Sequence, residues 1–441
     1  MSLTAAPRIA QELAGAVGEA YVCDRSSELE ELAVDGVAPG VAVSPGSAEE
    51  VAEVLLLASR EDLVVAPAGG GTQLGIGRKP GKIDILLRTS RLNKVEHYDP
   101  GDLTVGVGAG TTVGDLRRLV SDHRQVFPLD VARAHEATIG GVMAAAAHGA
   151  EKHGYGGIRD FCIGVRFVTA DGKVAKGGGR VVKNVAGFDL MKLMIGSFGT
   201  LAVIVGASFK VFPAPALTKT FAGDFASLEE AMACRDAVLA SPLSPLCLEL
   251  ISPEAQAYLS QGGAQGRWSV LVRAGGSERV LARYRAELGS RVARELEGAE
   301  EAQTWRAVAE FQETVARKPG ASMVLNVSLP IRAIAEMVRA SRLAGESNGL
   351  AAAAIGRIGV GSMLVAFISQ SDIKPEALAK AVTFLRDQLP HDASAYVLHC
   401  PRELKSRLDV WGSSPTDVAA MRAVKSTLDP KDILNRGRFL F

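Results

Sequence analysis

Three consecutive glycines, Gly69, Gly70 and Gly71, stand within Pro67-Ala-Gly-Gly-Gly-Thr-Gln-Leu-Gly75. Glycine has no Cβ to block approach and accepts positive φ, so such a run can turn several backbone N–H groups onto one anion. Thr72 adds a hydroxyl donor in the same turn, which makes Gly70, Gly71 and Thr72 the first candidates for diphosphate contacts. A tight surface loop is the alternative for this run taken alone. A second dense segment reads Thr138-Ile139-Gly140-Gly141-Val-Met-Ala144-Ala-Ala-Ala-His148-Gly149, followed by Tyr155-Gly-Gly-Ile-Arg159-Asp160, and a third reads Gly196-Ser-Phe-Gly199-Thr200-Leu-Ala-Val-Ile204. Small residues let backbone lie flat against a planar ligand. Three such turns separated by strands read as one extended ligand crossing several loops.

Other chemistries are poorly represented. The chain has no Gly-x-x-x-x-Gly-Lys-Ser/Thr, so a P-loop nucleotide site is not supported. Gly108-Ala-Gly110-Thr-Thr-Val-Gly114 mimics a dinucleotide turn, but its spacing is one residue too long and it opens no alternating β/α run. The five cysteines are scattered without a Cys-x-x-Cys pair, which gives no disulfide framework and no zinc or iron–sulfur set. Lys plus Arg and Asp plus Glu both number 49, so the basic surface of a nucleic-acid binder is missing. Residues 1–18 lack a basic stretch followed by an apolar one, so no secretory signal is expected.

The elements that must position these loops are legible in part. Ser47-Ala-Glu-Glu50 is a capping box, and Val51, Val54, Leu55 and Ala58 share one face of a helix from Ser47 to Arg60. Strands are expected over Leu63–Ala66, Ile83–Leu87 and Leu103–Val107, and a hairpin with a type I′ turn at Asp171-Gly172. The apolar run Leu193–Phe209 contains three glycines and changes character halfway, so it reads as buried helix, turn and strand, not a membrane span. Pro213-Ala-Pro215 breaks both periodicities and marks a boundary near residue 216. Beyond it, strand-like runs at Leu246–Ile251, Ser269–Val272, Met323–Leu329, Met363–Ile368 and Ser394–Leu398 alternate with helical stretches such as Ile331–Leu343. That order predicts an antiparallel sheet backed by helices.

The ordered motifs Pro-x-Gly-Gly-Gly-Thr, Thr-Ile-Gly-Gly, Arg-Asp and Gly-Ser-x-Gly-Thr-Leu resemble the FAD-linked oxidases with a PCMH-type (vanillyl-alcohol-oxidase-like) FAD domain. Lys183-Asn-Val-Ala-Gly-Phe-Asp189 and Leu428-Asp-Pro-Lys-Asp-Ile-Leu-Asn435-Arg-Gly-Arg438 look most like the FAD-binding subunit of bacterial glycolate oxidase, the GlcE type. The resemblance implies an α+β fold: an N-terminal segment (1–33), a two-lobed FAD domain (34–216), a cap of antiparallel sheet plus helices (217–400), and a C-terminal segment (401–441) returning to the FAD domain. It implies that Pro67, Ala68, Gly69, Gly70, Gly71, Thr72, Gln73, Leu74 and Gly75 hold the diphosphate. Thr138, Ile139, Gly140, Gly141, Ala144, His148 and Gly149 would line the ribityl and flavin region, and Ile204 would back the adenine. Pro128, Arg159, Asp160, Gly199, Thr200 and Asn435 complete the expected cofactor set. Covalent relatives carry a histidine in the first loop and this chain has none there, so FAD is expected to be noncovalent. Where relatives read Asn-Pro-Gly-Arg near the C-terminus, this chain has Arg436 in place of the proline.

Oxidation of a hydroxy acid at a flavin needs a cationic clamp for the carboxylate and a base for the hydroxyl proton. The His-rich metal-linked motif of single-chain relatives is not found. His391 and His399 flank a strand whose two ends lie well apart. Arg357, His399 and Arg402 remain the candidates for catalysis, and Arg438 is a further possible carboxylate ligand. The expectation is therefore an FAD-binding subunit acting beside a catalytic FAD-bearing subunit and an iron–sulfur subunit, in the cytoplasm or held to a membrane through partners. A self-sufficient oxidoreductase and a noncatalytic FAD-binding scaffold are the alternatives.

Overall fold

The computed structural model describes residues 5–180, 188–259, 266–369, 375–412 and 416–440. Lys183-Asn-Val-Ala-Gly lies outside them.

Two small sheets, with a two-stranded pairing of Gln125–Val126 and Phe212–Pro213, form the glycine-rich half. In the first, Val41–Val43, Ile85–Arg88 and Val65–Ala68 run parallel, with Val22–Cys23 antiparallel at one edge. The helix Ala48–Arg60 covers this sheet. Ser47 caps it by accepting from the Glu50 amide at 3.1 Å, while the Glu50 carboxylate accepts from the Gly46 amide at 2.7 Å, one residue earlier than a standard box requires. Val51, Val54, Leu55 and Ala58 are buried as the periodicity predicts. The second sheet is five-stranded and antiparallel, in the order Val95–Asp99, Thr104–Gly108, Val203–Lys210, Cys162–Val168 and Val174–Gly178. Val168, Val203 and Val205 share a core with Val41, Val65 and Leu55, which joins the two lobes.

The expected hairpin is present, but its turn differs. Only Gly172 has positive φ, and the Gly172 amide donates to the Thr169 carbonyl, so the central pair is Ala170-Asp171 in a three-residue loop closed by a left-handed glycine. The apolar run near residue 200 resolves into the short helix Leu190–Met194, a turn, and the strand Val203–Lys210. Among the described residues no helix is long and apolar enough to cross a membrane.

Beyond Pro213-Ala-Pro215 lies one eight-stranded antiparallel sheet whose strands all fall between Leu217 and His399. Five of its strands match the expected runs within a few residues. Leu217–Phe225, Arg294–Leu296 and Ala351–Arg357 were not foreseen. The last reads Ala-Ala-Ala-Ala-Ile-Gly-Arg, a composition that favours helix, and it is a strand because it sits between Cys247–Ile251 and Ser362–Ile368 in register with both. One face of this sheet is covered by helices including Leu228–Ala240, Ile334–Glu346 and Pro375–Asp387. Part of the opposite face packs Cys247, Ile251 and Ile355 in one core with Ala150 of the glycine-rich half.

The chain end then returns. Leu434 bridges Val65 in parallel, the Val65 amide donates to Ile433 and the Asn435 amide donates to Val65, so this segment extends the first sheet.

Candidate functional site

The strand Val65–Ala68 delivers the chain into the glycine loop at the wall of a cleft of about 860 Å3. Pro67 through Leu74 line it, together with Thr138, Gly140, Gly141, Ala144, Gly199, Thr200, Ile204 and Asn435. The three glycine-dense segments therefore meet at one cavity. Their glycines are required by contact: a Cβ on Gly69 would collide with the Thr138 hydroxyl, and one on Gly70 with the Glu136 carbonyl. Gly71 has φ +75°. The amides of Gly69, Gly70, Gly71, Thr72 and Gln73 donate to nothing among the described residues. Consecutive unbonded N–H groups around a left-handed glycine form an anion-binding concavity. The described residues lining the cleft include no His, Cys or Tyr.

Other expected residues lie elsewhere. Gly75 is off the cleft wall, and its carbonyl accepts from Lys405, which also donates to both Asp35 oxygens at 2.8 Å. Pro128 is buried away from the cleft, and Ile139 is a core residue behind it. Arg159 and Asp160 are exposed; Asp160 accepts from the Gly157 amide at 2.8 Å and so caps its own short helix. Gly149 packs on Asp130, where a Cβ would strike the carbonyl. These residues shape the loops and do not face the cavity. Gly108, Gly110 and Gly114 likewise lie where a side chain would press on the backbone of Leu92, Thr89 and Ala134, which explains that glycine pattern without a nucleotide.

The C-terminal segment closes the cleft, a role only partly foreseen. Asn435 donates from Nδ2 to the Phe198 carbonyl at 2.8 Å, and its Oδ1 is buried without a partner beside the cavity. The Arg438 amide donates to the Asn435 carbonyl at 3.1 Å with Gly437 at φ +72°, which is a turn of the type that accepts proline at its second position. Arg436 occupies that position and is tied to Asp62 at 2.7 Å, so the motif survives loss of the proline. Arg438 also lines the cleft, but its guanidinium donates to the carbonyls of Leu74 and Ile76, so it ties down the glycine loop and its Nη2 is already taken. Phe198, Trp411 and Phe439 line the same mouth in mutual ring contact. No spacing rule brings those three together.

The three candidates for catalysis separate clearly. Arg402 is exposed beside Gly36. His399 ends its strand half-buried, with its pKa lowered by burial and by nearby Lys405. Arg357 is 3% exposed, on the sheet face turned to the glycine-rich half, directly across from Glu249. His148 turns away from the cleft wall to this face, its Nε2 3.5 Å from the Ser362 hydroxyl. Burial, then Arg357 and Lys152, hold its pKa well below the usual value, so the ring is neutral. Burial pushes the Glu249 carboxyl up to about 7 against the pull of Arg357. Glu249 escaped sequence reasoning, though a lone acid within Cys247-Leu-Glu-Leu-Ile251 is the signal that marks it.

Comparison with known proteins matches residues 39–178 to the FAD binding domain and residues 214–389 and 411–439 to the C-terminal domain of FAD linked oxidases. The chain belongs to the FAD-linked oxidases. FAD is the cofactor of this family's domain, and the unbonded amides and small-residue cleft fit it. A D-lactate dehydrogenase of Archaeoglobus fulgidus is 28% identical over 90% of this chain and 90% of its own length. The glycolate oxidase subunit GlcD of Bacillus subtilis is 24% identical over 91% and 88%. The substrate-bound structure of p-cresol methylhydroxylase superposes with a TM-score of 0.77 at 16% identity over 99% of this chain and 97% of its own, which shows a shared fold.

Proposed function

We propose that this chain is the FAD-binding subunit of a glycolate dehydrogenase-type complex that oxidises small 2-hydroxy acids, and that it holds its FAD noncovalently. The observation that carries the cofactor assignment is the run of unbonded amides from Gly69 to Gln73 on the cleft wall. These groups and the Thr72 hydroxyl would hold the diphosphate. Gly140, Gly141 and Ala144 would lie against the flavin end, Ile204 against the adenine end, and the unpaired Asn435 Oδ1 would accept from the cofactor. With no His, Cys or Tyr on the wall among the described residues, the site offers no side chain for a covalent flavin link. The chemistry supplied by bound FAD is acceptance of two electrons from a substrate carbon–hydrogen bond.

The hydroxy-acid class rests on the relatives named for D-lactate and glycolate. The reading includes residues 34–216 as the FAD domain, 217–400 as the cap and 401–441 as the returning segment. It also includes a catalytic FAD-bearing partner and an iron–sulfur partner to carry electrons onward, in the cytoplasm. Arg357 favours a second reading, in which this chain binds its own substrate.

Purification from the native host tests the assignment. The expected result is a yellow protein whose flavin is released into the supernatant on acid precipitation, with two further chains co-purifying. A colourless protein that stays colourless with added FAD overturns the cofactor assignment. A yellow, lone chain that turns over D-lactate or glycolate with a dye acceptor overturns the complex and leaves the second reading.

A further inference from the structure

Arg357 is a buried cation whose Nε and Nη1 have no hydrogen-bond partner among the described residues. Its strand, Ala351–Arg357, lies between Cys247–Ile251 and Ser362–Ile368, and its direct cross-strand neighbours are Glu249 and Ser362. Directly opposed residues on antiparallel strands share a face. Cys247 and Ile251, two positions either side of Glu249, pack in one core with Ala150, so this is the face turned to the FAD domain. From that domain His148 reaches in toward Ser362. Arg357, Glu249 and Ser362 are 3%, 0% and 1% exposed.

The hydrogen bonding of this group is incomplete. Among the described residues, Arg357 Nε and Nη1, both Glu249 carboxylate oxygens and His148 Nδ1 are buried without a partner. A second arginine on the sheet shows what a structural charge looks like here. Arg273 donates to Glu151 at 3.3 Å and to Glu301 at 3.2 Å. Asp130, the other acid near Arg357, is occupied by the amides of Ala150 at 2.8 Å and Glu151 at 3.1 Å. A guanidinium cannot shed its charge, and a buried charge without a partner is strongly destabilising. Its planar fork is matched by a carboxylate, which accepts two parallel N–H bonds.

We propose that Arg357 is the carboxylate-binding residue of a substrate site in this chain, with Ser362, Glu249 and His148 facing the oxygen on the adjacent carbon of a small 2-hydroxy or 2-oxo acid. The cluster lies one short step along the chain from the cleft, since His148 follows the Gly140–Ala144 wall by a single turn. This deepens the proposed hydroxy-acid reading and rests on it. It also moves the substrate site from a partner subunit into this chain.

The test uses the full-length, FAD-loaded protein and oxalate, a dicarboxylate that the flavin does not oxidise. Calorimetric titration of wild type should show saturable binding of one oxalate. Arg357→Met should weaken it by tenfold or more, and Arg357→Lys, which keeps charge and loses the fork, should weaken it to a lesser degree. Flavin content and visible spectrum should match wild type in both. Binding equal to wild type in a folded Arg357→Met or Arg357→Lys protein overturns the proposal, as does absence of oxalate, glycolate and D-lactate binding by yellow wild-type protein. A colourless wild type would instead count against the FAD assignment, so the two failures read differently.

Discussion

Gly70 and Glu249 show how single residues carry two different demands. Gly70 sits against the Glu136 carbonyl, where even a methyl group collides. Gly70→Ala must therefore move the loop away from the Thr138 segment, and the amides that face the cleft move with it. FAD affinity is expected to fall about tenfold or more, equivalent to ~1.4 kcal/mol, measured as the flavin-to-protein absorbance ratio after dialysis while circular dichroism stays native. An unchanged ratio would remove the diphosphate role of this loop. Glu249 makes a demand on pH. Its folded pKa of about 7 exceeds the ordinary 4.5, because burial disfavours the carboxylate more than Arg357 favours it. The folded state thus holds this proton more tightly than the unfolded chain. The resulting stability is full below about pH 4.5 and is lost as pH rises through 7, by on the order of 3 kcal/mol. Glu249→Gln should flatten that decline, compared by urea unfolding at pH 5 and pH 8. Equal slopes in variant and wild type would show that Glu249 does not titrate in this window.

At the scale of elements, the helix Val418–Leu428 anchors the returning segment through one buried cation. Lys425 donates to the Thr200 carbonyl at 2.9 Å, to the Leu434 carbonyl at 3.1 Å and to Asp429. Asp429 in turn accepts from the amides of Ile433 and Leu434, the residues that extend the first sheet beside Val65. Lys425→Met would leave the Asp429 carboxylate buried without its cation, at a cost of about 3 kcal/mol. The urea midpoint should drop accordingly, and the double variant Lys425→Met with Asp429→Asn should recover part of the loss. A single variant as stable as wild type would mean that apolar packing alone holds this segment.

Across the whole molecule, the cleft is lined from the first sheet, the second lobe and the returning C-terminus together. A ligand touching all three stabilises only the assembled form. FAD at about a hundredfold excess over its Kd should add about 2.7 kcal/mol to the unfolding free energy of the apoprotein. Thermal unfolding with and without FAD checks this, and a melting temperature that FAD does not raise would mean that the cofactor is not bound at this three-part cleft.

The capping box, the strand periodicities and the three glycine-dense turns were legible because each is set by interactions within a few residues: a cap, a repeat, a missing Cβ. These determined the glycine loops of the cleft and the antiparallel second half. Long-range pairing decided the rest. The Ala-rich strand ending at Arg357 carries a helical composition and extends only because two neighbours supply its ladder. Asp160 read as a ligand residue and is a local cap, since its hydrogen bond closes over three residues. Glu249, Arg357, Ser362 and His148 are separated by as many as 214 positions. Only the packing of the sheet against the FAD domain brings them together, and burial, with the nearby charges acting beside it, gives Glu249 and His148 their altered proton affinities.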